Sequence, residues 1–359
     1  MNPSNKGKGT ALAKRVCFLF ILALILSAPA AGFPGGTPAA DAPAAGSVRL
    51  TDTAAAEVAG PADPALSPLP KRQNKAVPNS LRAFVREVVN QLAGEAPFKE
   101  WRTAGLSVHP LGPGTHGWLV NLFSGDKRIG YMIITASDNG GYTLSEYGAG
   151  TDEELPYSVT ELRLFLAQKG LIHSSDEIAE WVPLYVPLLP YWKVTAGGQT
   201  LYVNAIIPEI LPWDESKAEA VAASAQADRS CGLTASAGSL SEMTAGPRFH
   251  NGQAGDPYDN LLWLTSPKLA PLAADEFIQL LQREPGLVFR SNAGANDTAG
   301  APLMITGYQL WMAKSAASGS GTVVYAASGI GGRRLLPLDA LQRRGQFQIY
   351  VSGDEPAAR

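Results

Sequence analysis

Cysteine is almost missing from this chain: Cys17 and Cys231 are the only two in 359 residues. Two thiols cannot build the disulfide framework of a small secreted domain or a cysteine-based zinc cluster. Charge is sparse as well, at 17% of residues, and 29 Lys and Arg against 32 Asp and Glu leave a net of −3. Phosphate recognition needs a basic face or stripe. Here basic residues cluster only within the first fifteen positions, so no nucleic-acid partner is expected. Histidine is limited to His109, His116, His173 and His250. No metal or cofactor is expected, and no internal repeat is visible. The longest apolar run, Val16 to Ala31, falls short of the roughly 20 residues of a membrane helix. No integral membrane domain is therefore expected beyond the N-terminal segment.

What is present is apolar material, 45% of residues, enough for a sizeable core and for about two domains of ~150 residues. Residues 1–30 read as a signal peptide. Lys6, Lys8, Lys14 and Arg15 precede the apolar run, and Ala28-Pro29-Ala30 closes it; an uncleaved N-terminal anchor is the alternative. Cleavage after Ala30 would move the net charge from −3 to −7 and leave Cys231 as the single thiol. Residues 31–77 read as a disordered linker, because 24 of the 40 residues at 31–70 are Ala, Pro or Gly and cannot bury enough surface to offset ordering. These features predict an extracellular or cell-envelope location.

Residues 78–212 read as a first α+β domain. The stripe Leu81, Phe84, Val85, Val88, Val89 and Leu92 predicts a helix ended by Gly94. A meander follows, with strands at 118–123, 128–135 and 142–147 and a turn at Ser124-Gly125-Asp126. Ser158 and Glu161 form a capping box before a second helix, with Gly170 as its cap, and 191–195 with 200–206 form a hairpin around Ala196-Gly197-Gly198. The phrases Gly130-Tyr131-Met132-Ile133-Ile134-Thr135, Leu144-Ser145-Glu146-Tyr147, Tyr191-Trp192-Lys193-Val194 and Leu201-Tyr202-Val203-Asn204-Ala205 resemble the cystatin-like prodomains of secreted bacterial peptidases. In those families the module is non-catalytic and serves as inhibitor, chaperone or spacer.

Residues 213–227 predict a connecting helix, 228–352 a second domain and 353–359 a disordered tail. Within the second domain, Ser230-Cys231-Gly232-Leu233-Thr234-Ala235-Ser236-Ala237 resembles the nucleophile turn of papain-like cysteine peptidases of the bacteriocin-processing type. There the thiol sits at a helix N-terminus that stabilises the thiolate. Leu233 stands where those families have proline. A helix at 274–284, strands at 287–290, 301–308, 323–326 and 346–351, and the segment 333–341 resemble the C-terminal half of the same family.

The departures are chemical. Ala301-Pro302 occupies the place of the general-base His, and Ala327-Ser328 that of the acid. A nucleophilic thiol needs a base within hydrogen-bond reach and a group to orient it. His250 is the only His after Cys231 and is the candidate base. The expected fold is thus α+β with two antiparallel-sheet domains, the second a degenerate papain-like one. The expected function is a pseudoenzyme that binds a peptide or protein. An active peptidase with Cys231 as nucleophile and the first domain as inhibitory prodomain is one alternative, and a structural envelope protein the other.

Smaller signals read as structure. Asp256-Pro257-Tyr258-Asp259-Asn260 lacks the spacing of a calcium loop and reads as a turn. Asp152-Glu153-Glu154 reads as a solvated acidic edge and Gly329-Ile330-Gly331-Gly332 as a surface turn without the Lys-Ser/Thr of a phosphate loop. Asn296-Asp297-Thr298 fits a glycosylation sequon. Trp181, Tyr185, Tyr191 and Trp192 read as packing, with a peptide or glycan groove as the alternative.

Overall fold

The computed structural model describes residues 77–351 apart from short stretches at 113–114, 139, 174–179, 226–230, 237–238, 252–255, 293–301 and 315–320. The predicted signal peptide, the linker up to residue 76, the tail, the sequon and Ala301 lie outside the described residues. Those residues form an α+β fold of five α-helices and 14 strands.

Helix α1 (Asn79–Leu92) buries the six-residue stripe read from the sequence. Each such side chain contributes about 1.5–3 kcal/mol on burial. The stripe covers one face of a meander, β1 (Gly105–Pro110), β2 (Gly117–Ser124), β3 (Lys127–Ala136) and β4 (Tyr142–Ala149). Gly125-Asp126 joins β2 to β3 as a two-residue loop with Gly125 at φ 59°. Such a loop matches the twist of the strands it connects. A short 3₁₀ helix, Lys99–Thr103, precedes β1 and was not legible in the sequence.

On the meander's other face lie α2 (Val159–Gln168) and a three-stranded sheet, β5 (Glu180–Val186), β6 (Leu189–Ala196) and β7 (Gln199–Asn204). Ser158 caps α2 by accepting from the Glu161 N–H at 3.2 Å while donating to Asp152 at 2.7 Å. Gly197 and Gly198, at φ 57° and 76°, make the β6–β7 turn. The aromatic residues Trp181 and Trp192 are core between the layers, and Tyr191 is buried on the opposite face of the small sheet, against Trp213.

Helix α3 (Glu215–Ser224) leads to β8 (Leu233–Ala235), β9 (Met243–His250), α4 (Ala274–Arg283), β10 (Leu287–Ser291), β11 (Leu303–Ala313), β12 (Val323–Ser328), β13 (Arg334–Pro337), α5 (Leu338–Arg344) and β14 (Gly345–Ile349). Residues 78–212 and 228–352 contribute strands to one sheet, ordered β1-β2-β3-β4-β13-β12-β11-β10-β14, with β8 also on β4 and β9 also on β11. Every pairing in it is antiparallel.

The sheet curls strongly. Three strand intervals separate β4 from β11, about 14 Å in a flat sheet, yet the Tyr147 and Trp311 rings lie 6.5 Å apart and Trp311 Nε1 donates to the Tyr147 hydroxyl at 3.0 Å. Tyr147 donates in turn to Gln309 at 3.3 Å, and Gln309 to the Gly246 carbonyl on β9 at 3.2 Å.

The β5–β6 turn, Pro187-Leu188, locks the small sheet onto the large one. Leu188 adopts φ 74°, a conformation that favours glycine, while its fully buried side chain packs with Cys231, Phe277 and the other side chains of the core under α4 and α5. Left-handed backbone costs a leucine about 1–2 kcal/mol, less than the roughly 2–5 kcal/mol lost on truncating a buried leucine. Leu188→Gly is therefore expected to destabilise the protein by about 2–4 kcal/mol despite relieving the backbone; a stability gain in urea unfolding would show that strain, not packing, dominates at the turn.

Candidate functional site

Cys231 is buried, 3% exposed, and sits immediately before strand β8. This corrects one expectation: the residues after the thiol form a strand, so the thiol does not lead a helix of its own segment. The reason lies in Leu233 and Thr234. They pair with Leu144 and Thr143 of β4 and extend its edge, and Thr234 is hydrogen-bonded to Thr143 at 2.8 Å. Gly232 is required by this junction. It adopts φ 111°, and a Cβ there would lie 2.6 Å from the Leu144 carbonyl oxygen. Its N–H donates to Asp339 at the start of α5 at 3.2 Å, and the Leu233 N–H donates to the Tyr325 hydroxyl at 2.9 Å. That hydroxyl donates onward to the Leu144 carbonyl; burial pushes the Tyr325 phenol well above its usual range, so it keeps the proton it donates.

His250 ends β9, opposite Gly307 of β11. Its Nε2 is 3.1 Å from the Thr306 hydroxyl, and its ring closes on Gly332 of the loop after β12. Strand β9 lies on the edge of β11 and β8 on the edge of β4, with β12 and β13 between those two strands. Ala327 and Ser328 are buried in β12, and Pro302 precedes β11. The Gly329–Gly332 turn is held by Arg248, whose Nη2 donates to the Gly331 carbonyl at 3.0 Å and to that of Gly332. Burial and the neighbouring Arg248 charge lower His250 below its ordinary value near 6.5, and burial with Arg128 does the same for His109.

The other sequence signals resolve as turns and ion pairs. Asp256 accepts from the Tyr258 N–H at 2.9 Å, and Asn260 caps the 3₁₀ helix Leu261–Thr265. The acidic edge is not simply solvated: Asp152 pairs with buried Arg128 at 3.1 Å, and Glu154 pairs with Arg333. Among the described residues no group of three or more His, Cys, Asp and Glu is placed to hold a metal ion.

Two features escaped the sequence reading. The first is a buried ion pair. A bulge at Ser145, where Ile133 faces Glu146 but Ile134 faces Leu144, turns Glu146 away from α1 and toward the small sheet. Arg334 of β13 grips it from both nitrogens, Nε at 2.6 Å and Nη2 at 2.9 Å, and Nη2 also donates to the Leu188 carbonyl at 2.6 Å. Tyr131 donates to Glu146 at 2.6 Å and Tyr185 at 3.4 Å. Burial alone would lower Arg334; the Glu146 charge and its hydrogen bonds outweigh that and hold the guanidinium above its ordinary range. Burial, with Glu146 adding to it, keeps both phenols protonated. The cavity nearby, lined by Thr135, Ser145, Leu184 and Tyr185, has about 50 Å³, room for one or two waters and far below a ligand pocket of roughly 300–1,000 Å³.

The second is an open groove of about 460 Å³ between α1 and the edge strand β1, within the size range of ligand sites. Val85, Val89, Trp101, Ala104 and Val108 form its apolar floor, and exposed Arg82, Arg86 and Arg102 rim it. No carboxylate lies among its described lining residues. The faint sequence signal was the i, i+4 placement of Arg82 and Arg86 beside the apolar stripe. Comparison with family models, curated proteins and solved structures finds no match to this chain.

Two measurements follow. Glu146→Leu strands the Arg334 charge in the interior and is expected to cost about 3–5 kcal/mol in urea unfolding, whereas Glu146→Leu with Arg334→Met should recover more than half of that; an additive double variant would mean that the pair is not coupled. Folded His109 and His250 bind protons more weakly than the unfolded chain does, so the unfolded state takes up protons first as the pH falls. Stability present above pH 6.5 should drain away below it. The thermal midpoint of a His109→Gln, His250→Gln variant should decline less than that of the parent chain between that pH and pH 5; parallel declines would remove both histidines from the account.

Proposed function

We propose that this is an exported cell-envelope protein that binds a peptide or protein segment and performs no chemistry at Cys231, its second half being a degenerate papain-like module. The observation that carries this reading is the seat of the thiol. Cys231 is buried in an apolar core and followed by a strand, rather than exposed at the head of its own helix as a reactive thiol of this type is. The Cys-Gly pair has a full structural explanation in the β4–β8 junction, which leaves the motif no need of a catalytic one. The residues in the places of base and acid carry no titratable group. Binding is supported by the open groove at α1 and β1, which has the volume, the apolar floor and the charge that a polypeptide ligand uses. Export rests on the basic-then-apolar N-terminal segment.

The thiol tests the reading directly. In a Cys17→Ser background, a thiol-reactive probe is expected to label native Cys231 at least roughly a hundredfold more slowly than the urea-unfolded chain, since labelling must wait for opening of the core. Cys231→Ser is expected to leave the fold intact. Fast native labelling, together with peptide hydrolysis that Cys231→Ser abolishes, would establish the peptidase alternative instead.

A further inference from the structure

We infer that the groove between α1 and β1 takes an extended acidic polypeptide segment, which adds to the sheet as a further antiparallel or parallel strand on the outer edge of β1. The inference rests on the reading that the chain binds polypeptide and names the site and chemistry of the partner.

Three observations converge on it. Strand β1 ends the sheet order, with β2 as its one neighbour among the described strands, so its second row of backbone donors and acceptors faces outward. Edge pairing of this kind gives an extended peptide main-chain affinity, while alternate side chains give specificity. Next, β1 is incompletely covered. Leu106 is 40% exposed, and Val108, on the same face two residues on, is half-buried. Both line the groove beside α1. Period-2 alternation sends every second side chain of an added strand into that same groove. Finally, the groove's charge is of one sign. Arg82 and Arg86 sit one turn apart on α1 and Arg102 stands on the 3₁₀ helix that leads into β1, where its Nη2 reaches the Ala93 carbonyl at 3.4 Å. Guanidinium groups recognise carboxylates through paired N–H donors. An alternating sequence of acidic and small apolar residues, acids directed to the arginine rim, is the chemistry that fits.

The fit also excludes a partner. A second copy pairing β1 with β1 would bring the arginines that flank each strand on α1 and the 3₁₀ helix toward one another, and like charges juxtaposed across an interface are destabilising.

The experiment uses the full chain and fluorescently labelled peptides of about eight residues, long enough to cover the edge strand. One alternates Asp with Val, and a control alternates Lys with Val. Two further Asp-Val peptides are N-methylated on one or the other alternate set of backbone amides. Expected are saturable binding of the acidic peptide, weakening with added salt, and loss of roughly tenfold or more in affinity in Arg82→Gln, Arg86→Gln, Arg102→Gln. One N-methylated set should abolish binding and the other leave it within about twofold, because only one set of amides faces β1. The exposed arginines are not expected to affect folding, and the methylated peptides report on the unmodified protein in any case. No binding of the acidic peptide, equal binding of the basic one, an unaffected triple variant, or indifference to both methylation sets would each overturn the inference. So would sedimentation of the chain as a dimer that the acidic peptide fails to dissociate. None of these results touches the thiol-labelling outcome, so the partner assignment and the non-catalytic reading fail separately.

Discussion

The ion pair between Glu146 and Arg334 is the constraint on which the rest of this fold depends. An unpaired carboxylate with no solvent exposure is costly enough that a protein ordinarily neutralises it or loses the structure around it. Here Glu146 comes from the meander, Arg334 from the strand paired to it, and two phenols and the Leu188 carbonyl add further hydrogen bonds. The cluster therefore joins chain segments nearly two hundred residues apart and, through Leu188, fixes the small sheet over the large one. Hydrophobic contacts alone would tolerate sliding at that seam. A bidentate pair with a third acceptor does not, because each shift leaves a buried group unpaired.

The same seam gives the nucleophile-like phrase a structural setting. Leu188, held left-handed at the turn, occupies the core that also contains Cys231. A small, weakly polar thiol suits that position, since sulfur packs as a hydrophobe when buried. The glycine beside it is needed for close passage over β4, and the threonine after it pairs with Thr143. Cys231, Gly232, Leu233 and Thr234 each meet a local mechanical demand of this junction.

Legibility in the sequence followed the range of the interactions involved. Elements whose determinants are local were readable. The α1 stripe, the Gly125-Asp126 and Gly197-Gly198 turns, the Ser158 cap and the helix at α4 all appear where periodicity and turn chemistry put them. Strands β1 and β9 were not readable. Gly105 to Pro110 alternates only weakly and ends in proline, and Met243 to His250 contains both Gly246 and Pro247; each is a strand because a neighbour, β2 or β11, supplies the ladder. The joining of the two halves by β4, β8 and β13 was equally hidden, since it depends on pairings across ninety residues or more. Of the site, Glu146 left a trace as a lone carboxylate in an otherwise uncharged strand. The groove left almost none, because a concave surface belongs to no single element.

The open edge of β1 is the complement of that tightly closed seam. Unpaired edges invite indiscriminate association, and proteins blunt them with charge, bulges or cover. The bulge at Ser145, on a central strand, aims Glu146 inward, while β1 pairs only with β2 among the described strands and has three arginines beside it. Those arginines discriminate rather than merely protect. They oppose a second copy of themselves and any basic segment, yet attract carboxylates to the one place where the backbone can still pair. A surface that repels most strands and welcomes one kind has the asymmetry that specific recognition requires. Its location, a full meander away from Cys231, means that recognition at this edge needs nothing from the thiol.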